Sequence, residues 1–213
     1  MMLSRLFPGL ALAALSLWAG SPLAAQDMMD DPPPIGPMPV EAQIAFAVQA
    51  APAAMRADAT VQGYDASGAF VTLRQGSNDL ICMAPNPESV TFEVSCHHAD
   101  LEPFFERGRE LRAAGITGNE RVQKRFEEIE AGTLPMPYGA TNYILRGEGF
   151  DVASATIENP YLRWVIYTPF ATPETTGRTT DAQGSAPRLM CPGNEGTDIM
   201  SSTTAGGWGG GET

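Results

Sequence analysis

Lysine is almost missing from this chain of 213 residues: Lys124 stands alone beside twelve arginines. Histidine is nearly as scarce, with His97 and His98 the only two, and cysteine occurs three times, as Cys82, Cys96 and Cys191. Each scarcity excludes something. No serine stands three residues before Lys124, which removes the Ser-x-x-Lys pattern of penicillin-recognising enzymes. There is no Gly-x-Ser-x-Gly elbow, no His-Glu-x-x-His zinc motif, no phosphate-binding glycine loop and no dinucleotide fingerprint. With two histidines, adjacent in sequence, nothing points to a Ser-His-Asp triad. No cysteine precedes Cys82, so the lipid-modified cysteine of a bacterial lipoprotein is not available. No apolar run reaches the roughly 20 residues that a membrane-spanning helix needs. Positive charge is short as well, 13 basic against 25 acidic residues, a formal net charge of −12. Nucleic acid and anionic lipid both demand basic patches, so neither is expected as a partner.

What is present begins with an export pattern. Arg5 is the only charge before Asp27, and an apolar run from Leu10 to Gly20 follows it. That run is too short to span a bilayer and suits the core of a Sec-type bacterial signal peptide. Pro22 breaks it, and Leu23-Ala24-Ala25 supplies small residues for cleavage, so residues 1–25 are expected to be removed. The mature chain would then be soluble, in the periplasm or outside the cell, with a formal charge near −13 once Arg5 is lost. Residues 26–39 combine acid, methionine and a triple proline, an extended disordered tether. Residues 201–213 are rich in Gly, Ser and Thr, a flexible tail carrying Trp208. Between them, 40–200 has the size of one domain with a real core.

Within that domain Val90–Cys96 alternates strictly, with Val90, Phe92, Val94 and Cys96 on one face and Thr91, Glu93 and Ser95 on the other. This predicts a half-buried strand. The turn chemistry of Ala84–Ser89 makes it one arm of a hairpin and brings Cys82 to Cys96. A disulfide there closes a loop of about 15 residues, a stabilisation of roughly 3 kcal/mol in the chain-entropy view. Cys191 is left unpaired, and is expected to be buried and inert. A helix is predicted over Val40–Ala50, interrupted by Pro52 and resuming at Ala53–Met55. Strands are predicted over Ala59–Tyr64, Ala69–Arg74 and Asp79–Met83, a meander with the Val90 strand. Two helices follow, one capped by Asp100 and stopped at Gly115, with Leu101, Phe104, Phe105, Gly108 and Leu111 at helical spacing. The other runs from after Asn119 to Gly132, with Val122, Phe126 and Ile129 inward. Strands return at Asn142–Arg146, Tyr161–Thr168 and Arg188–Met190. The order predicts an α+β domain, helices packed on an antiparallel sheet.

Candidate chemistry is sparse, and no metal or cofactor is expected. Cys96-His97-His98-Ala99-Asp100-Leu101-Glu102 is the densest polar cluster. Neighbours on a strand point to opposite faces, so the two histidines do not readily share an ion. Met28, Met29, Met38 and Met83 could serve a soft metal, but methionine more commonly fills cores or tethers. Glu102, Glu106 and Glu110, with Arg109 and Arg112 among them, read as a solvated, ion-paired helix face, as does Glu120–Glu130. The aromatic run from Tyr161 to Tyr167 is apolar on both faces, a central strand. Its alternative is a groove in which Tyr161, Arg163 and Tyr167 meet a ligand or partner peptide.

Arg74-x-Gly76-Ser77-Asn78, Cys82-Met83, Cys96-x-His98, Leu101-Glu102-Pro103-Phe104 and Gly108-Arg109-Glu110-Leu111 together resemble an uncharacterised family of exported bacterial proteins. Glu130-Ala131-Gly132, the strand around Trp164 and Tyr167, and Leu189-Met190 extend the likeness across most of 40–200. The resemblance implies export, a single domain and the Cys82–Cys96 pair, with Cys191 the odd cysteine; it implies no catalytic residue. The expectation is thus a non-enzymatic periplasmic domain that binds a protein or small molecule. The competing expectations are a small exported enzyme using His98 and Glu102 for acid–base work, and a metal-handling protein.

Overall fold

The predicted Val90 strand is realised from Phe92 on, as β4 (Phe92–His98), in the middle of an eight-stranded sheet; Val90 itself precedes the strand and is exposed, and Ser95 and His97 are buried on the face expected to meet solvent. The structure is a computed structural model and describes residues 32–204. Residues 1–31, which hold the expected signal segment and the start of the expected tether with Met28 and Met29, and residues 205–213 with Trp208 lie outside the described residues. Strand β3 (Leu80–Met83) pairs antiparallel with β4 and sets Cys82 directly opposite Cys96, their sulfurs 2.05 Å apart. The expected hairpin and its bridge are therefore present.

From β4 the sheet continues through β5 (Thr141–Gly147), β8 (Tyr161–Tyr167) and β10 (Asp198–Thr204) to β9 (Arg188–Met190) at one edge. From β3 it continues through β1 (Thr60–Tyr64) to β2 (Phe70–Arg74) at the other. A small hairpin of β6 (Gly149–Asp151) and β7 (Thr156–Glu158) stands apart. The class is α+β, and the sheet is mixed because β1 and β3 run parallel. A pure meander fails because the chain between β2 and β3 is held against the segment ahead of β1. The Arg74 guanidinium donates to the Arg56 and Ala59 carbonyls, and the amides of Ser77 and Asn78 both donate to the Asp58 carbonyl. Gly76 lies so close to the Asp58–Thr60 backbone that a Cβ would not fit. The run Arg74–Asn78 thus clasps the chain just ahead of β1, and β3 starts from the same end as β1.

The two sheet faces differ. One is dry: α1 (Val40–Ala47), extended to Ala50 by a 3-10 turn, lays Phe46, Ala47 and Ala50 on Val61, Cys82, Val94, Cys96, Leu145 and Leu162. Phe46 meets Phe92 edge-on at 5.0 Å, and Phe92 stacks on Phe150 at 4.8 Å. Residues 32–39, read as tether, follow the turn before β4; the Ile35 amide donates to Ser89 at 2.8 Å, and Ile35 and Met38 pack on the core. The other face carries α2 (Glu102–Ala113) and α3 (Gly118–Glu130). Asp100 does not cap α2: a 3-10 turn over Ala99–Leu101 precedes it, and the His98 side chain accepts from the Asp100 amide. Gly115 and Gly132 end the two helices in the left-handed region, as expected of such stops. No residue of α3 is fully buried, and Val122, Phe126 and Ile129 are only half-buried.

A short α4 (Pro173–Thr176) is closed by a Thr172–Thr175 capping box. Strand β10 pairs with β8 at seven positions, through Ser201 to Thr204, which the composition had assigned to the tail. Among the described residues, no helix is long and apolar enough to cross a membrane.

Candidate functional site

Strand period sorts the side chains, and register lines them up. On the face under α2 and α3, Met83, Ser95, Ile144 and Arg163 form one row across β3, β4, β5 and β8. His97, Asn142 and Val165 form the next, and Tyr167 faces Asp198 across β8 and β10. This face is half polar, so α2 and α3 do not seal onto it. A half-open cleft of about 740 Å³ remains, floored by β4, β5, β8 and β10.

Six of the twelve arginines line this cleft: Arg109 and Arg112 from α2, Arg121 and Arg125 from α3, Arg146 from β5 and Arg163 from β8. Phe70, Phe104, Phe105 and Phe126 supply apolar wall between them. In a chain of net charge −12 such a gathering is not a matter of composition. Two of the six are neutralised by carboxylates, Arg109 by Glu102 and Arg146 by Glu93. Arg112, Arg121, Arg125 and Arg163 make no ion pair among the described residues. Nε of Arg121, Arg125 and Arg163 is buried without a hydrogen-bond partner in the chain, as are Oδ1 of Asn142 and of Asp198. Buried polar atoms are nearly always satisfied, so five such atoms on one cleft call for partners from outside the chain, water or ligand.

The charges respond to this crowding. Burial, reinforced by Arg121 and Arg112, brings Arg125 down to about 10, which still leaves it protonated at neutral pH. Its guanidinium lies over the Phe104 ring at 4.0 Å, a cation–π contact that fixes its plane. Burial pushes Asp198 up to about 6 against the pull of Arg163 and Arg188, and pushes Tyr167 up to about 12 with Asp198 adding to it.

The Asp198 shift carries a stability consequence. A raised folded pKa means that ionisation is disfavoured in the fold, so stability is lost as pH rises from the ordinary 3.8 through about 6. Asp198→Asn is expected to be more stable than the parent at pH 8, by on the order of 1–2 kcal/mol after allowance for screening, and equal to it near pH 4. Melting curves of both proteins across that range check this. A difference that grows as pH falls would reject it.

Behind one wall sits a second polar group. His97, with no exposed surface, stacks on Phe105 at 4.3 Å and meets a Glu102 oxygen through Nε2 at 2.7 Å. The other Glu102 oxygen accepts from Gln62 at 3.0 Å and Arg109 at 2.5 Å. Burial opposes ionisation of Glu102, but hydrogen bonds from His97 and Gln62 and the charge of Arg109 prevail and hold it at about 2. Burial holds the His97 imidazolium below its ordinary range, and Nδ1 has no partner. The neutral Nε2–H form fits both facts, since an orphan lone pair costs less than an orphan N–H.

The structure gathers some of the candidate residues and separates others. Arg163 and Tyr167 line the cleft; Tyr161 lies outside it, exposed on β8. His98 does not reach Glu102. It turns away from His97 and lies 3.5 Å from Asp100 at the surface. Glu102 is not part of a solvated face: it bridges the sheet interior and Arg109. Glu110 is exposed and paired with Arg107. Cys191 is exposed rather than buried, on a turn residue with φ 47° between β9 and β10. No group of three or more metal-capable side chains is present among the described residues. In the sequence, Arg112, Arg121 and Arg125 read as solvated charge. The available signal was their spacing against the apolar stripe of Phe104, Gly108, Val122 and Phe126, which puts them on its flank. No protein-family model, curated protein or solved structure matches the chain.

Proposed function

We propose that this chain is an exported, non-enzymatic binding protein whose α2–α3 cleft takes a small amphipathic anion. The observation that carries the reading is the set of arginines without carboxylate partners, set among phenylalanines on one cleft. The volume falls in the range of small-molecule sites, roughly 300–1,000 Å³, where apolar walls hold the body of a ligand and a few polar groups orient it. Arginine suits the polar part, because its planar fork meets carboxylate and phosphate oxygens two at a time. Export is supported by the N-terminal pattern and by a disulfide, which persists in oxidising compartments. The acid–base reading loses its pair, since His98 and Glu102 do not meet and the histidine that does meet Glu102 is sealed from the cleft by Phe105.

Native mass spectrometry of the mature protein from its own cells tests the reading. A bound species of a few hundred daltons, released by Arg125→Gln, is the expected result. A bare chain that also fails to bind added aromatic anions would end it.

A further inference from the structure

We infer that the anionic group is a phosphate-type dianion, seated between Arg112, Arg121 and Arg125 where α2 and α3 meet over the sheet. The inference rests on the anion-binding reading above and names the head group.

The first reason is a count of charges against partners. Arg107 is bound by Glu128 and Glu110, Arg109 by Glu102, and Arg146 by Glu93. Arg56 and Arg74 are held by backbone carbonyls. Among the arginines left, Arg163 stands on the sheet, while Arg112, Arg121 and Arg125 stand on adjoining helices and face the same cleft; burial, and after it the neighbouring arginine charges, lower Arg121 and Arg125. Arg112 is exposed, but Arg121 and Arg125 each bury an Nε without a partner in the chain, and like charges held this way are stabilised by an anion that joins them. A carboxylate brings one negative charge and two oxygens, which two guanidinium forks satisfy. A phosphate monoester brings nearly two charges above about pH 6 and three terminal oxygens, which match three forks.

The second reason is that the site is built before any ligand arrives. Arg125 is set on the Phe104 ring, and its Nη1 lies 3.4 Å from the Phe104 carbonyl. Gly108 makes room for it: a Cβ there would come within 3.1 Å of that Nη1. Gly196 does the same for Phe126, whose ring occupies the place a side chain would take. A guanidinium fixed in advance does not have to be ordered on binding. The rest of the cleft suits what a phosphate would be attached to. The phenylalanines accept an apolar body, and Asn142 and Asp198 present unpartnered oxygens on the floor to a hydroxyl or N–H of the ligand.

Calorimetric titration of the full chain at pH 7.5 with phenyl phosphate, inorganic phosphate and benzoate tests this. Phenyl phosphate is expected to bind at least tenfold more tightly than benzoate. Arg121→Gln and Arg125→Gln are each expected to weaken it by roughly tenfold to a hundredfold, as for loss of a charged hydrogen bond. Arg125→Lys, which keeps the charge and loses the fork, should fall between, and Arg178→Gln, exposed and away from the cleft, should match the parent. Melting curves confirm that each variant is folded. Inorganic phosphate binding as tightly as phenyl phosphate supports the head-group site and identifies the free ion as its ligand; much weaker binding identifies a monoester. Benzoate binding as well as phenyl phosphate would overturn the dianion while leaving the anion-binding reading intact. Phosphate binding untouched by Arg121→Gln and Arg125→Gln would overturn the placement. No binding of any of the three would overturn both readings.

Discussion

Cys82→Ala combined with Cys96→Ala is expected to lower stability by about 4 kcal/mol, the sum of two effects. The bridge joins residues 14 apart in sequence, and opening a loop of that size returns to the unfolded chain entropy worth about 3 kcal/mol. Both sulfurs also sit at zero exposure in the dry core, among Phe46, Val61 and Val94, so their removal leaves a small void costing about 1 kcal/mol more. For a domain of this size the melting temperature should fall by about 8–16 °C. A smaller fall, about 6–12 °C for the entropic part alone, is expected of the unaltered protein once a reductant has opened the bridge, because the sulfurs still fill the core, provided Cys191 is blocked first. That thiol is exposed and should be alkylated in the native protein, whereas Cys82 and Cys96 react only after reduction and unfolding. Thermal melts of the double variant together with non-reducing peptide mapping check both statements. An unchanged melting temperature, or a bridge that includes Cys191, would reject this account of the core.

The hairpin that carries this bridge was legible because two local rules agree on it: Val90–Cys96 alternates, and Ala84–Ser89 is turn chemistry. The helices were legible for the same reason, from apolar spacing and glycine stops. What failed was longer in range. The parallel placement of β3 beside β1 depends on Arg74, Gly76 and Asn78 gripping backbone near residues 55–59, and no periodicity records a side chain bonded to a distant carbonyl. β10 escapes the sequence reading because Ser201–Thr204 has the composition of a tail; the strand is ordered by its pairing with β8 and by the buried Ser201 hydroxyl, which donates to the Ser185 carbonyl. The candidate site was half legible. Arg163 and Tyr167 stand out in an aromatic strand, but the helix arginines look like ordinary solvated charge until the fold shows that their carboxylate neighbours point elsewhere. Glu102 misled for the opposite reason: its spacing with Glu106 and Glu110 places it on a surface stripe, while the first turn of α2 tips it under the helix onto His97.

That position makes Glu102→Ala the most disruptive single change expected on this face, at about 3 kcal/mol. Removing the carboxylate strands both its partners, the neutral His97 N–H and the Arg109 guanidinium; loss of one member of a buried ion pair costs roughly 3–5 kcal/mol, and the partial exposure of Glu102 and Arg109 places this one at the low end. His97 Nε2–H would lose its acceptor inside the sheet, and Arg109 would become a further unneutralised arginine on the cleft. Glu102→Gln separates charge from shape. Its amide would still accept from Gln62 or Arg109, but its NH₂ toward His97 requires the imidazole to accept at Nε2 and carry its proton on Nδ1. Nδ1 has no partner, so the cost becomes a buried orphan N–H, about 1–2 kcal/mol. The sign with pH is fixed by the depressed carboxyl. A folded value near 2 against an ordinary 4.5 contributes stability that is present above about pH 4.5 and is lost as pH falls through 2. Urea unfolding of parent and Glu102→Ala should therefore differ most at pH 6–7, with the gap closing between pH 4.5 and 2. A gap that is constant over that range would mean that Glu102 contributes packing and not charge, and that Arg109 reaches the cleft without its help.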